Sequence, residues 1–395
     1  MTKKGGSDMK YMKYFFVFGS HPDLSLAELT AVLGDGVQYL NLSAGVLVVE
    51  AESLDLASLH QRLGGTVKMG EVYKLIPNLS ESAIKTGIKE ILAMATKPFF
   101  GISLYGGKFK FQPLALSLKK EIKINDRAPR YVVSKEAILS SVVVEQNKLT
   151  SGGAEIVIAK CPQGFWLGRT SFVQPFKELS ARDYGRPDRD DQSGMLPPKL
   201  AQMMINLAGA DTNRVLLDPF CGSGTIVSEA LLMGFGRIIG SDISEKAIAD
   251  SKNNLAWLRR HYNLTTGTCQ LHVMDATKLA SLIPLQSLDL IVTEPYLGPQ
   301  RGARDLDKVK QDLDKLYSDA IAQFAQVLKP GGKLVMIWPR LLRTAKVFVD
   351  ITPSINGFEQ SMPWPKALEM RQPQTLLYGR EGQSVWRRIV ILVKK

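Results

Sequence analysis

Apolar positions along the chain follow one rhythm up to about residue 180 and another after it. In the first half, compact β-branched and aromatic runs alternate with stretches of helical spacing. Residues 14–19 (YFFVFG) and 45–50 (GVLVVE) have strand composition. Residues 24–33 and 54–63 repeat apolar side chains three and four apart, with Leu56, Leu59 and Leu63 on one side, and read as helices. With residues 67–75 as a closing strand, they make a βαββαβ-like unit. A second α+β unit follows. It has a helix near 82–95, strands near 99–105 and 130–133, and a strand pair at 154–160 and 164–169 around the turn Cys161-Pro162-Gln163-Gly164.

Residues 183–193 (DYGRPDRDDQS) are polar and nearly free of aliphatics, and read as a linker. A helix then opens at Pro197-Pro198, with Leu200, Met203, Met204, Leu207 and Ala208 as its stripe. Strand and helix alternate from there. Strands are expected at 215–217, 237–240, 270–273, 288–292 and 333–338, and helices at 225–233, 245–258 and 306–328. Such alternation predicts an α/β, doubly wound, mostly parallel sheet with helices on both faces. Two final runs, 375–378 and 385–393, read as a terminal antiparallel hairpin. The domain bounds expected are 10–77, 78–180, a linker at 181–194, and 195–395.

Composition narrows the function. The chain has 395 residues, 50 basic and 38 acidic, for a net charge of +12. Ordinary apolar and charged fractions exclude disorder, collagen and coiled coil. No apolar run reaches the roughly 20 residues of a membrane span. Residues 1–13 lack the apolar core of a signal peptide, and Cys161, Cys221 and Cys269 are too dispersed for a zinc cluster or disulfide framework. A reduced cytoplasm without structural metal is the expectation. The positive charge concentrates in residues 107–135, where Lys108, Lys110, Lys119, Lys120, Lys123, Arg127, Arg130 and Lys135 face only Glu121 and Asp126. Phe109, Phe111 and Tyr131 lie among them. Basic groups meet phosphates and aromatic faces stack on bases, which predicts a nucleic-acid surface.

Four strings carry chemistry. In the first, Val215-Leu216-Leu217-Asp218 runs through Pro219-Phe220-Cys221 into Gly222-Ser223-Gly224-Thr225, a buried strand passing through a glycine-rich turn into a helix. The glycines permit close approach of a ligand, and the helix N-terminus favours anionic groups. The spacing is not the GxGxxG of dinucleotide folds. Asp242 ends the next strand, where an acid accepts from both hydroxyls of a ribose. Asp275 ends the one after, where it can accept from the amino group of an adenine. The fourth string, Thr293-Glu294-Pro295-Tyr296, follows a central strand. Its proline-rigid turn can aim carbonyls, and its tyrosine can stack, on a base taken out of its helix. No histidine belongs to the set.

Together these strings resemble the motifs of class I S-adenosylmethionine-dependent methyltransferases of the amino-methylating kind. More closely, the chain resembles the THUMP-containing tRNA guanine-N2 methyltransferases that act on guanosine 10. The segment Ser193-Gly194-Met195-Leu196-Pro197-Pro198-Lys199-Leu200-Ala201 is similar to the one those enzymes carry before their first motif. The resemblance implies a class I methyltransferase domain preceded by ferredoxin-like and THUMP units that grip tRNA or another structured RNA. It implies that Asp218, Phe220, Gly222, Gly224 and Thr225 surround the methionine part of the cofactor. Asp242 would hold its ribose and Asp275 its adenine, and Tyr296 would stack on the target base.

The chain departs from that family at one point. Thr293 stands where the family has Asp or Asn, and Glu294 where it has proline. Either the Thr293 hydroxyl or the Glu294 carboxylate would then accept from the target amine, with the Pro295 carbonyl as second acceptor. The leading expectation is an RNA methyltransferase acting on a guanine amino group of tRNA. A DNA adenine or cytosine amino-methyltransferase would use the same crevice; a non-catalytic RNA-binding protein with a degenerate methyltransferase fold is supported by the altered pair and opposed by the intact Asp218–Thr225 string with Asp242 and Asp275. A small activator subunit is left open.

Overall fold

The computed structural model describes residues 11–123, 126–134, 136–189, 195–209, 211–299, 305–344, 347–364 and 375–395. Two compact units emerge, one of residues 1–22, 33–61 and 66–175, the other of 23–32, 62–65 and 176–395.

In chain order, the first half contains β1 (Met12–Phe18), α1 (Pro22–Leu33), β2 (Gln38–Ser43), β3 (Val46–Ala51), α2 (Leu56–Arg62), β4 (Thr66–Ile76) and α3 (Glu81–Leu92). It continues with β5 (Phe99–Tyr105), α4 (Phe111–Glu121), β6 (Arg130–Tyr131), α5 (Ser141–Gln146), β7 (Ala154–Cys161) and β8 (Gly164–Val173). All eight strands form one sheet, in the order β2-β3-β1-β4-β8-β7-β5-β6. The two α+β stretches expected as separate units therefore share a sheet, joined where β4 pairs antiparallel with β8. Consecutive Phe15 and Phe16 of β1 are both buried, so both faces of the sheet are covered here. The β7–β8 turn needs glycine: Gly164 has φ +134°, and a Cβ there would stand 2.1 Å from the Ile76 carbonyl oxygen. One ion pair is sealed inside this unit, Lys68 with Glu155, and Ser103 and Thr170 also donate to that carboxylate.

The second half runs α6 (Phe176–Tyr184), α7 (Pro198–Ala208), β9 (Val215–Asp218), α8 (Thr225–Leu232), β10 (Arg237–Asp242), α9 (Glu245–Tyr262) and β11 (Thr268–Val273). It ends with β12 (Leu288–Thr293), α10 (Leu306–Val327), β13 (Leu328–Thr344), β14 (Val347–Asp350), β15 (Phe358–Ser361), β16 (Leu376–Tyr378) and β17 (Val385–Lys394). The sheet order is β11-β10-β9-β12-β13-β17-β15, with β14 on β13 and β16 on β17. Strands β9 to β13 pair in parallel, and β17 inserts antiparallel beside β13. The winding reverses between β9 and β12, so the loops after these strands diverge and leave a crevice. The expected terminal hairpin is present as β16 antiparallel to β17; β15 also pairs with β17, and β14 with β13. Helix α6 extends into the expected linker, and residues 190–194 lie outside the described residues.

This unit also takes in residues 23–32 of α1, which the sequence groups with the first unit. Leu24 and Ala27 join the core around Leu200, Met204 and Leu207 of α7. The polar centre of that contact is Glu28, fully buried. Its carboxylate accepts from the backbone of Gly64 (2.8 Å) and Gly65 (2.7 Å) and from Nδ2 of Asn206 (2.7 Å). Burial nevertheless pushes its carboxyl up to about 7.

Candidate methyl-transfer cleft

The crevice between β9 and β12 opens into a cleft of about 650 Å³, within the roughly 300–1,000 Å³ typical of small-ligand sites. Asp218, Phe220, Gly222, Ser223 and Thr225 line one wall, Asp242, Ile243 and Asp275 the next, and Glu294, Pro295 and Tyr296 the third. Of the cofactor and target residues expected from the sequence, Gly224 and Thr293 are the two that do not line the cleft.

Each is placed by local chemistry. Gly222 (φ +51°) and Gly224 (φ +86°) both hold left-handed conformations. A Cβ on Gly224 would meet Oγ of Ser251 at 2.8 Å, whereas over Gly222 nothing lies within 4 Å. The turn is close-packed behind and open in front. Asp242 clamps it, accepting from Gly222 N (3.0 Å) through one oxygen and from Ser244 N (2.9 Å), the start of α9, through the other. Ser251 Oγ and Asn254 Nδ2 donate to the Gly222 and Ser223 carbonyls (2.8 and 2.9 Å), turning the amide edge the other way. Asp275 accepts from the backbone and the hydroxyl of Thr277, which holds its carboxyl below the usual range.

Asp218 and Thr293 end β9 and β12, the two strands at the reversal. The Thr293 hydroxyl donates to Asp218 Oδ1 (2.7 Å), and Phe220 N donates to the same oxygen (3.2 Å). Both side chains are buried. Burial pushes the Asp218 carboxyl up to about 7, against these donors, and the charges of Asp242 and Glu294 push the same way. Thr293 is thus engaged inward and is not among the residues that line the cleft.

Glu294 is held from a strand far along the chain. Arg387 of β17 donates from Nε to Glu294 Oε1 (2.5 Å) and from Nη2 to Oε2 (3.5 Å). Burial raises the Glu294 carboxyl and Arg387 draws it back down. Burial also opposes the Arg387 charge, but the carboxylate outweighs it and holds the guanidinium above its ordinary value. Tyr296 is exposed, and its carbonyl accepts from the hydroxyl of buried Tyr317 of α10 (2.7 Å). Arg186 Nη1 donates to the Thr225 hydroxyl (2.7 Å) at the start of α8. Arg387, Tyr317 and Arg186 escape sequence reasoning because no local pattern marks a partner so distant in sequence.

In the first unit, Lys108, Lys110, Lys119, Lys120, Lys123, Arg127 and Arg130 are all exposed. Lys119 and Lys120 occupy the last turn of α4, where cations complement the helix dipole. The interleaved aromatics serve the core instead. Phe111 is buried there, and half-buried Phe109 and Tyr131 pack against the same cluster. Lys135 lies outside the described residues. Among the described residues no helix is long and apolar enough to cross a membrane, and no His, Cys, Asp and Glu cluster could hold a metal ion.

Comparison with known proteins agrees with the cleft. The RMKL-like methyltransferase domain (UPF0020) matches residues 186–352, and a DNA methylase model matches 106–253. The tRNA (guanine(10)-N2)-dimethyltransferase of Methanothermobacter thermautotrophicus is 26% identical over 331 residues, 82% of this chain and 87% of that one. The Pyrococcus abyssi protein of the same name is 29% identical over 231 residues, 56% of this chain and 62% of that one. That match therefore spans less than two thirds of the P. abyssi protein. A probable tRNA (guanine(10)-N2)-dimethyltransferase of Methanothermococcus thermolithotrophicus is 32% identical over 140 residues, 35% of this chain and 77% of that one. Among solved structures, TrmN from Thermus thermophilus has a TM-score of 0.51 at 19% identity, covering 98% of this chain and all of that one, a likeness of fold. By fold, cleft and relatives, the chain belongs to the tRNA guanine-N2 methyltransferase family of class I, S-adenosylmethionine-dependent enzymes.

Proposed function

We propose that this chain methylates the N2 amino group of a guanosine in tRNA. The observation that carries the reading is the single cleft in which a glycine-rich turn and two strand-end acids face the Glu294-Pro295-Tyr296 turn across the sheet reversal. The first two walls fit S-adenosylmethionine. The space over Gly222 admits a ligand against the backbone, and the α8 N-terminus lies beside the turn for a carboxylate. Asp242 and Asp275 offer acceptors suited to ribose hydroxyls and an adenine amine. The cofactor supplies an electrophilic methyl group.

The chain's task is then to present the nucleophile. The lone pair of a guanine amine is delocalised into the ring. Acceptors on its two hydrogens pull it toward a tetrahedral nitrogen and prepare loss of one proton. On this reading the Glu294 carboxylate and the Pro295 carbonyl serve as the acceptors, both residues lining the cleft, and exposed Tyr296 stacks on the flipped base. The exposed lysines and arginines of residues 108–130 supply the grip on tRNA phosphates.

The test is methyl transfer from labelled S-adenosylmethionine to an unmodified tRNA transcript, with nucleoside mass spectrometry of the product. N2-methylguanosine is the expected product. Label in N6-methyladenosine, or only in a DNA duplex offered alongside, overturns the proposal.

A further inference from the structure

The Glu294–Arg387 pair occupies a place where an ion pair needs a reason. It is largely shielded from water, with side-chain exposures of 11% and 14%. Burying two charges costs more than an exposed pair returns, and a hydrophobic replacement is often at least as stable. Yet the pair stands at the wall of the cleft, and Glu294 lines it. Its neighbours do not need it. Asp218 has its own donors in Thr293 and Phe220, and the turn is anchored separately through Tyr317.

We propose that Glu294 reads the Watson–Crick edge of the target guanine, and that Arg387 is the positioning residue that keeps the carboxylate charged and aimed for that purpose. The inference rests on the guanine-N2 reading above and deepens it. A carboxylate has about four lone-pair sites. The fork of Arg387 takes one on each oxygen, from Nε to Oε1 and from Nη2 to Oε2, which fixes the plane of the group. One acceptor site remains on each oxygen. Guanine presents two parallel donors at the matching spacing, N1–H and N2–H. Adenine presents an amine beside N1, a lone pair, so a charged carboxylate there meets a lone pair and repels it. The crevice chemistry is shared by amino-methyltransferases of several bases. The pair would make this one exclude adenine by repulsion as well as select guanine by fit.

The charge state is essential, since a protonated Glu294 would donate where guanine also donates. The groups that face it are Asp218 from β9, Tyr317 from α10, Tyr378 from β16 and Arg387 from β17. Of these, Arg387 alone is a cation. Without it, burial and the nearby carboxylate of Asp218 would both favour the protonated form.

The experiment uses the full-length protein and the RNA it methylates, with guanosine or 2-aminopurine riboside at the methylated position. 2-Aminopurine keeps the N2 amine but has a lone pair at N1. Single-turnover rates are measured for the wild type, Glu294→Gln, Arg387→Met and Arg387→Lys, with cofactor affinity followed by calorimetry. The wild type should prefer guanosine by about a hundred-fold or more, as sites built for a hydrogen-bond pattern do. Glu294→Gln, whose amide can donate to N1, should narrow that preference by at least about ten-fold. In Arg387→Met the apparent pKa of guanosine methylation should move up by about one to three units, and Arg387→Lys should restore most of the wild-type profile. Cofactor affinity should change less than about three-fold in all variants, in keeping with a target-side role. Guanine-N2 methylation with selectivity and pH profile unchanged in Glu294→Gln and Arg387→Met overturns this inference alone. A wild type that puts no methyl on guanine N2 overturns the functional reading and this inference with it.

Discussion

Thr293 donates its hydroxyl to Asp218 across the point where the sheet reverses its winding, at 2.7 Å. The bond joins the ends of β9 and β12 and so the glycine-rich turn to the Glu294-Pro295-Tyr296 turn. It also stabilises a carboxylate that burial works to protonate.

Thr293→Val should therefore act as a loss of support rather than of a target acceptor. It leaves the buried Asp218 Oδ1 with Phe220 N as its remaining donor, and losing one bond to a buried carboxylate costs roughly 1–3 kcal/mol. Denaturant unfolding should show that loss, and Thr293→Ser should recover most of it. A full-stability Thr293→Val protein with a methyl-transfer rate lowered a hundred-fold would instead return Thr293 to the catalytic acceptors.

Asp242 supports the turn and faces the cleft at once. Asp242→Ala removes its bonds to Gly222 N and Ser244 N together with the acceptor offered to a ribose. Calorimetry should show S-adenosylmethionine affinity reduced about five- to a hundred-fold. Unchanged affinity in a folded variant would move the cofactor site elsewhere.

Stability should fall as pH rises from the ordinary carboxyl range toward neutrality and level off above about 7. Glu28 and Asp218 both have carboxyls pushed up to about 7 in the fold. Below the unfolded-state value, folded and unfolded chains alike carry these protons. Between that value and about 7 only the folded chain keeps them, so folding is favoured less at each step upward in pH. For Glu28 alone the loss is on the order of 3 kcal/mol. Unfolding midpoints at pH 5 and pH 8 should differ less in Glu28→Gln than in the wild type. An equal difference would mean that Glu28 is ionised in the native state across this range.

On the basic surface, replacing Lys119, Lys120 and Lys123 with alanine should weaken tRNA binding. It should also flatten the log–log salt dependence by up to about three units. Because these side chains are exposed, the fold should be unaffected. Identical affinity and slope would make this an ordinary solvated face.

The sequence reveals what depends on neighbours in the chain. Strand-to-turn-to-helix strings place Asp218, Asp242 and Asp275 at strand ends, and the parallel alternation places those ends around one crevice. It conceals what depends on distance. The partner of Thr293 is 75 residues away and that of Glu294 is 93. The window around α4 reads as a charged, aromatic-studded surface because periodicity does not reveal which side of each residue is covered. There the charges face solvent and the rings face the core. The two N-terminal units merge because strand pairing between β4 and β8 has no signature in either strand.

The discontinuity of the second unit bears on how the chain is made. Helix α1 meets its partner Asn206 only when α7 exists, 178 residues further on. At translation rates of roughly 5–20 residues per second, Leu24 and Ala27 wait about ten to thirty seconds beyond the ribosome before their core arrives. A fragment starting after residue 180 would lack that helix altogether and expose the α7 surface it covers. The catalytic unit is thus not a module that can be lifted out at the linker. Its first piece is synthesised after β1 but before the other seven strands of the other unit's sheet, and the last step of its assembly is a docking over long sequence separation.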